Sequence, residues 1–149
     1  MLQLKFSLQI ASTSAHIPAK AQFKKWANAA LRVDTEVTIR IVDAQEGLEL
    51  NSTYRGKDYA TNILTFPLTE EPILMGDIII CAPVVAAEAN AQHKNLMAHY
   101  AHLTVHGMLH LCGYDHENDC QAELMESLEV QILTKLGYAN PYFISEDAV

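Results

Sequence analysis

Cysteine, glycine and long apolar runs are all scarce in this sequence, and each scarcity excludes a class of protein. The three cysteines, Cys81, Cys112 and Cys120, are odd in number and lack paired spacing, which argues against a disulfide framework and favours a reducing cytoplasm. The longest uncharged apolar run near the middle of the chain, 78–87, contains Pro83 and is too short to cross a bilayer. The six glycines form no repeat or low-complexity segment. We therefore expect a cytoplasmic protein with no membrane partner.

Basic residues are scarce in the second part of the chain. Residues 1–57 contain eight Lys and Arg against five Asp and Glu, whereas residues 58–149 contain two against thirteen. The net charge of −8, taken alone, argues against a nucleic-acid partner. If the protein does bind RNA, its phosphate contacts should come from the first part, and the acidic remainder should limit non-specific binding. Alternatively, the acidic C-terminal region only keeps the protein soluble.

Hydrophobic periodicity predicts strands early in the chain and helices late in it, which is an α+β order. Apolar residues alternate over 2–10 and 36–42, and apolar segments at 63–66 and 77–81 predict two more strands, the last of them central. Three helices are predicted over about 18–31, 44–50 and 83–92, the second of them capped by Asp43. Two longer helices follow, one from an Asn95 cap through the histidine-rich segment and one from an Asp119 cap to about 136. The polar segment 51–61 is predicted to be a loop. A single domain over 1–149, with a sheet of about four strands and about five helices, is expected.

The segment 106–116 carries the clearest chemical pattern. His106 and His110 are four residues apart on a predicted helix, which places both imidazoles on one face, roughly 5–6 Å apart at Cβ. Gly113 can take the positive φ with which helices commonly end, and the turn brings His116 back to the same point. Three imidazole nitrogens with an open fourth position are typical of a catalytic zinc site, in which a bound water becomes a nucleophile. The pattern predicts one zinc ion per chain, held by these three histidines.

Other interpretations of the histidines remain open. They could be three unrelated residues, although the metal-ligand spacing of all three argues against this. A structural zinc would need a fourth ligand, for which Asp115 is a better candidate than Cys112, on another helix face, or Cys120. The spacing also equals that of the metzincin peptidases, H-E-x-x-H-x-x-G-x-x-H. Gly107 stands where those enzymes carry their general base, so the metallopeptidase alternative lacks its base.

The same segment resembles the YbeY-type rRNA maturation factors, whose motif has the form H-G-x-L-H-L-x-G-Y-D-H, and it fills every fixed position. The resemblance continues in 51–58, 61–67 and 76–80, and downstream in Met125, Glu129 and 136–138. It implies a zincin-like mixed sheet with the metal site on the long helix of the C-terminal half and the turn after it. It also implies a zinc-dependent, single-strand-specific endoribonuclease acting in ribosomal RNA maturation, at the 16S rRNA 3′ end, and in ribosome quality control. RNA, the ribosome and ribosomal proteins are the implied partners.

Arg55 is the predicted catalytic residue outside the histidine motif. It lies in the 51–61 segment, where the family carries an arginine thought to act in the site, and its planar guanidinium matches phosphate oxygens. The resemblance implies that Arg55 stabilises the extra negative charge of the transition state and that His116 is catalytic as well as a ligand. Without the resemblance, Arg55 is an exposed ion-pair partner, as most arginines are.

Several neighbours of the motif keep two interpretations each. His102, one turn before His106, is either an alternative ligand or an outer residue that orients one, and His99 is expected at the surface. Gly107 serves either close helix packing or room for substrate. Asp115 is a general base, with the bound water alone as the alternative, or it accepts a hydrogen bond from a histidine N–H, or it stabilises the turn. A non-catalytic ribosome-associated protein with a structural zinc is the third function that the sequence permits.

Overall fold

The computed structural model of this protein describes residues 1–142, which form one four-stranded mixed sheet with five helices. This is the α+β architecture that the sequence predicts. The predicted domain over 1–149 continues into residues 143–149, which lie outside the described part. The strands are β1 (Leu4–Ala11), β2 (Thr35–Val42), β3 (Ile63–Thr69) and β4 (Leu74–Cys81). The helices are α1 (Lys20–Ala29), α2 (Ala44–Arg55), α3 (Ala82–Ala91), α4 (Leu96–Leu111) and α5 (Asp119–Lys135).

The sheet order β1-β2-β4-β3 places β2 and β4 in the centre and leaves β1 and β3 at the edges. β1 and β4 both run parallel to β2, whereas β3 is antiparallel to β4. Burial follows this order, because β4 is buried along most of its length while β1 is exposed at alternate positions. The predicted central position of the fourth strand is confirmed.

The two faces of β4 contact different helices. Ile78 and Ile80 belong to the main core under α4, and Ile79 belongs to a smaller cluster on the other face, next to α2. Gly76 lets α4 approach closely, since a Cβ there would lie 2.6 Å from Leu111 Cδ2. The C-terminal half of α4 therefore lies directly over β4 and the β3 edge.

The main core is built around aromatic side chains between the sheet, α1, α4 and α5. Phe23 and Trp26 of α1 are buried, and Phe23 packs edge-on against both Trp26 and Tyr100 of α4. Trp26 Nε1 donates a hydrogen bond to Tyr138 Oη (3.2 Å), which ties α1 to the segment after α5. α4 is apolar on most sides, yet no helix among the described residues is long and apolar enough to cross a membrane.

Several element boundaries differ from the prediction because tertiary pairing overrides local signals. α2 continues to Arg55, so residues 51–55 of the predicted 51–61 loop are helical. β3 continues past Pro67, because an edge strand tolerates a residue that donates no backbone hydrogen bond. β4 begins earlier than predicted, at Leu74, where it already pairs with β2.

Of the three predicted helix caps, Asn95 is confirmed, Asp119 is wrong, and Asp43 has the predicted N-cap position without a side-chain bond. Asn95 caps α4 by accepting a backbone hydrogen bond in the first turn (3.1 Å). α5 is capped by Asn118 rather than by Asp119, which is its first helical residue. Asp43 precedes α2 but makes no cap bond, because its carboxylate accepts hydrogen bonds from the residues after β1.

Candidate functional site

α4 carries two histidines to the β3 edge, and the turn after it returns a third. His106 and His110 share one face of the helix, and Gly113, at φ 104°, follows its end. The backbone N–H of Gly113 donates to the carbonyl of His110, and the next N–H donates to the carbonyl one residue earlier, which is a Schellman closure. The chain reverses there and brings His116 beside the other two imidazoles, as the spacing predicts.

The three imidazoles are grouped around one small space. Their ring centres are 6.3 Å (His106 to His110), 5.8 Å (His106 to His116) and 6.2 Å (His110 to His116) apart. Imidazoles bound to one tetrahedral zinc, with nitrogens at 2.0–2.1 Å, would have ring centres about 5 Å apart. Within residues 1–142, no group of three or more His, Cys, Asp or Glu side chains is close enough to hold a metal ion as it stands. The rings are therefore grouped but slightly wider apart than a bound zinc requires.

Hydrogen bonds hold two of these rings by the same nitrogen. His106 Nδ1 is 2.9 Å from Glu129 Oε2, and His110 Nδ1 is 2.6 Å from Thr65 Oγ1. Both bonds occupy Nδ1 and leave Nε2 available to a ligand. Metal-ligating histidines are usually oriented in this way, by an oxygen on the other ring nitrogen. The donor set and its supporting bonds therefore fit zinc in their chemistry.

Electrostatics favours a neutral imidazole at His110 and an ionised carboxylate at Glu129. Burial lowers the pKa of His110 and outweighs the opposing effect of Asp115, whose Oδ1 lies 3.7 Å from His110 Nε2. Burial raises the pKa of Glu129, but hydrogen bonds from two imidazoles and a tyrosine hydroxyl outweigh it and bring the pKa to about 2. Neutral imidazole is the form that binds metal, and an ionised carboxylate can only accept hydrogen bonds.

A cleft of 270 Å³ opens between α4, β3 and the end of α2. Arg55, Asn62 and Thr65 line it together with the three histidines. Arg55 Nη2 donates to the carbonyl oxygen of Thr65 (2.9 Å), and the guanidinium carbon lies 5.1 Å from the centre of the Phe66 ring. Arg55 Nη1 makes a longer hydrogen bond to the carbonyl oxygen of Tyr54 (3.5 Å), and the exposed guanidinium keeps its remaining N–H groups available to an anion. The structure thus places Arg55 and the three predicted ligands in one cleft.

The two other histidines of α4 lie outside this cleft. His102 Nε2 is 2.6 Å from Glu129 Oε1, which favours an outer role, connected to His106 through one carboxylate, over that of an alternative ligand. The expected surface position of His99 is wrong, since it is only 5% exposed and its Nε2 is 3.0 Å from Glu88 Oε1. α3 covers that side of α4, and local periodicity does not reveal it.

Gly107 faces the sheet. A Cβ at this position would lie 3.0 Å from Ile63 Cδ1 and 3.1 Å from Ile78 Cδ1. Close packing of α4 on β3 and β4 therefore accounts for the glycine, and the geometry gives no support to the alternative of room for substrate. Because residue 107 is glycine, the position at which a metzincin carries its general base has no side chain.

Asp115 stabilises the turn that carries the third histidine. Its Oδ1 accepts a hydrogen bond from the backbone N–H of His116 (2.7 Å), which lowers the pKa of Asp115. A carboxylate with a lowered pKa is a weak base at neutral pH. The turn-stabilising interpretation therefore agrees with the geometry better than the general-base one.

Two residues that hold the histidines received no role from the sequence. Glu129 and Thr65 are 23 and 45 residues away from the histidines they contact, and only the packing of α5 and β3 around α4 brings them there. Glu129 does leave a signal, because it is a charged residue within the buried stripe of Met125, Ile132 and Leu133. A carboxylate in an apolar stripe indicates a specific buried partner. Thr65 offers no comparable signal.

Comparisons with known proteins agree on one family. The family model described as Endoribonuclease YbeY matches residues 8–137. A Methylobacillus flagellatus protein named Endoribonuclease YbeY is 63% identical over 142 residues, covering 95% of each chain. A Nitrosomonas eutropha protein of the same name is 52% identical over 140 residues, covering 94% of this chain and 99% of that one. The solution structure of TM1509 from Thermotoga maritima shares the fold, with a TM-score of 0.55 and 24% identity over 92% of this chain and 99% of that one.

Proposed function

The chain belongs to the endoribonuclease YbeY family, and from this premise we propose that it is a zinc-dependent, single-strand-specific endoribonuclease. The proposed substrate is ribosomal RNA, at the 3′ end of 16S rRNA, in ribosome maturation and quality control. The ribosome and ribosomal proteins are the proposed partners, and the cytoplasm is the proposed location. One zinc ion per chain is the proposed cofactor, held by His106, His110 and His116.

The observation that carries this proposal is the shared cleft. Three imidazoles and the guanidinium of Arg55 line one space, although α2 supplies the arginine, and α4 and the turn after it supply the histidines. Imidazole suits a divalent metal and guanidinium suits phosphate, so the combination supports phosphodiester chemistry. The cleft, at 270 Å³, is small, which suits an unstacked strand better than a duplex.

The chemistry divides between the metal and the chain. When bound, zinc would supply a Lewis acid and acidify a water molecule. Arg55 would bind phosphate oxygens with the donors it does not use on Thr65 and would stabilise the extra negative charge of the transition state. Glu129 and Thr65 would keep Nδ1 of two ligands occupied, and Asp115 would hold the turn of the third.

The metallopeptidase alternative has less support. Gly107 offers no base, and Asp115 is bonded to the backbone of the turn. The alternative of a ribosome-associated module with a structural zinc requires a closed fourth position. Asp115 is the candidate for that fourth ligand, and its Oδ1 lies 3.7 Å from His110 Nε2, whereas the closer carboxylate of Glu129 contacts His106 through Nδ1.

RNA cleavage by the zinc-loaded protein tests the proposal. Wild type and His116→Ala are incubated with single-stranded and base-paired rRNA fragments, and the products are resolved at nucleotide level. We expect zinc-dependent cleavage of the single-stranded fragment by wild type and its loss in His116→Ala. His93→Asn changes an exposed histidine outside the cleft and should cleave like wild type.

Two results would contradict the proposal. Equal cleavage by wild type and His116→Ala would remove the histidines from the reaction. If the wild type cleaves an unfolded protein substrate in the presence of zinc and His116→Ala does not, the metallopeptidase function would be favoured over the endoribonuclease function.

A further inference from the structure

Glu129 joins three side chains behind the candidate metal centre. Its Oε2 is 2.9 Å from His106 Nδ1, its Oε1 is 2.6 Å from His102 Nε2, and the Tyr142 hydroxyl donates to the same Oε1. The geometry points to Glu129 as a positioning residue that fixes the ring orientation and the proton location of His106, so that Nε2 is presented to the metal. The metal part of this inference rests on the proposed function, whereas the orientation of His106 concerns the protein alone.

The burial of Glu129 shows that its carboxylate does more than fill space. Only 1% of the residue is exposed, and it lies among the buried side chains of α5. A buried carboxylate is strongly unfavourable unless hydrogen bonds compensate for the lost solvent, and an apolar residue of similar size would often pack as well or better. Its three donors supply this compensation. The specific contribution of the Glu129 carboxylate is therefore to hold the side chains of His106, His102 and Tyr142 by hydrogen bonds.

The hydrogen bonds determine the tautomer of His106. An ionised carboxylate has no proton to donate, so Nδ1 of His106 must be the donor. In a neutral ring the lone pair is then on Nε2, the nitrogen that Glu129 does not contact. The same reasoning makes Nε2 the donor of His102, whose Nδ1 is buried without a hydrogen-bond partner within residues 1–142.

His102 and Tyr142 hold the other carboxylate oxygen and so fix the direction of Glu129 itself. Because donors occupy both oxygens, the carboxylate cannot rotate without breaking a bond on each side. His102 is one helical turn before His106 on the same face of α4, so the carboxylate spans consecutive turns of that helix. A rigid carboxylate on a rigid helix is what holds a metal ligand in one orientation.

Zinc affinity provides the first test. The dissociation constant for zinc is measured by competition with a zinc-binding dye for wild type, Glu129→Gln and Glu129→Leu. Gln keeps the shape and one acceptor oxygen, whereas Leu keeps the approximate volume and no acceptor. We expect affinity to fall in the order wild type, Gln, Leu, with a loss of about 10–100-fold for Leu. A role in packing alone predicts wild-type affinity for both variants and would overturn the proposal.

Glu88→Gln is the matched control. It alters a second pair in which a glutamate from another helix contacts a histidine of α4, that of Glu88 with His99. This pair makes no hydrogen bond to the three cleft histidines. Its zinc affinity should equal that of wild type. A loss equal to that of Glu129→Gln would show that any disturbed pair on α4 weakens the site, and the specific role of Glu129 would be rejected.

Nitrogen-15 NMR at pH 8 provides the second test, and its decisive measurement is made on metal-free wild type, so that it does not depend on the folding of a variant. We expect the proton of His106 on Nδ1, and in Glu129→Leu a shift of population to the Nε2–H tautomer. A wild-type protein with the His106 proton on Nε2 would overturn the assignment of Glu129.

The two tests separate this inference from the proposed function. If wild type binds no zinc while His106 carries its proton on Nδ1, the metal function fails and the orientation by Glu129 stands. If wild type binds zinc through the three histidines and folded Glu129→Leu binds it equally tightly, the metal site stands and the positioning role is rejected.

Discussion

Arg55 is held at the cleft by contacts that use few of its hydrogen-bond donors. One donor reaches the carbonyl oxygen of Thr65, and the face of the guanidinium lies over Phe66. Arg55→Ala should cut single-turnover RNA cleavage by about 10²–10³-fold, because one transition-state donor is lost. Zinc content should not change, and the free energy of unfolding should change by about 0.5 kcal/mol or less. Arg55→Lys should rescue little, since an ammonium cannot reproduce a planar fork on phosphate.

Lys57→Ala is the control for the charge of Arg55, because it removes a nearby exposed cation that does not line the cleft. Its cleavage rate should stay near that of wild type.

RNA affinity of Arg55→Ala should fall only modestly, because one phosphate contact is one of several. Cleavage by Arg55→Ala at the wild-type rate would falsify the catalytic role, and complete loss of binding with no activity in wild type would favour a ribosome-binding module.

Gly107 tests packing against helix propensity at one residue. Alanine would gain about 1 kcal/mol of helix propensity, but its Cβ would press on Ile63 and Ile78, and overpacking costs about 1–3 kcal/mol. Gly107→Ala should therefore lower the free energy of unfolding by about 1 kcal/mol in urea titrations, with zinc affinity unchanged. Ile63→Val removes the nearest methyl group, so the double variant should show a favourable coupling of about 0.5 kcal/mol or more. Additive effects, or a more stable Gly107→Ala, would contradict the packing explanation.

At the scale of elements, α3 and α4 are joined by a hydrogen bond between Glu88 and the buried imidazole of His99. His99 Nε2 is 3.0 Å from Glu88 Oε1, and the same carboxylate accepts from Asn62 just before β3. Burial lowers the pKa of His99 and outweighs the opposing effect of Glu88. The folded protein then binds fewer protons at His99 than the unfolded chain does, so stability is present above the ordinary histidine pKa of about 6.5 and falls as the pH drops below it.

Urea unfolding of the metal-free protein between pH 7.5 and 5.5 checks this dependence. The free energy of unfolding of wild type should decrease over that range, and His99→Gln should flatten the decrease while part of it persists through His110, whose pKa burial also lowers. His93→Asn removes an exposed imidazole at φ 54°, a conformation that Asn tolerates, and should keep the wild-type slope. An unchanged slope in His99→Gln would contradict the role of His99.

The elements also explain which parts of the site the sequence could predict. The i, i+4 pair and its glycine closure are local, so His106, His110 and His116 follow from the motif alone. Glu129 and Thr65 reach these rings from α5 and β3, and their positions depend on the strand order β1-β2-β4-β3, which no local period encodes. For the same reason the sequence predicts the presence of a helix better than the residue at which it ends, as the extension of α2 to Arg55 shows.

At the scale of the whole molecule, the basic residues and the cleft are largely separate. Lys20, Lys24 and Lys25 are exposed on α1, whereas Arg55 is the cation among the residues that line the cleft. Six of the thirteen acidic residues after position 57 lie between 115 and 129, in the histidine turn and α5. Substrate contact should therefore depend on few phosphate interactions at the cleft, which agrees with a protein that discriminates against non-specific nucleic acid.

The hydrophobic core of the molecule is separate from the three cleft histidines. Its buried aromatic and aliphatic side chains lie between the sheet, α1, α4 and α5, whereas the side chains of His106 and His110 are 26% and 36% exposed. Hydrogen bonds to Glu129 and Thr65 orient these two rings. If the zinc site is catalytic and the core folds without it, a chelator should leave the protein folded. If the zinc is structural, a chelator should unfold it.

Metal removal should leave the fold intact and lower only its thermal stability. With EDTA, near-ultraviolet circular dichroism from the buried Trp26 should keep its native form, and unfolding should stay cooperative. Zinc at about 100 times its dissociation constant should add about 2.7 kcal/mol, or roughly 5–10 °C in Tm for a chain of this size. His106→Ala/His110→Ala should show the same Tm with zinc and with EDTA. Loss of the near-ultraviolet signal and of cooperativity on chelation would instead identify the zinc as structural and remove the argument for an open catalytic position.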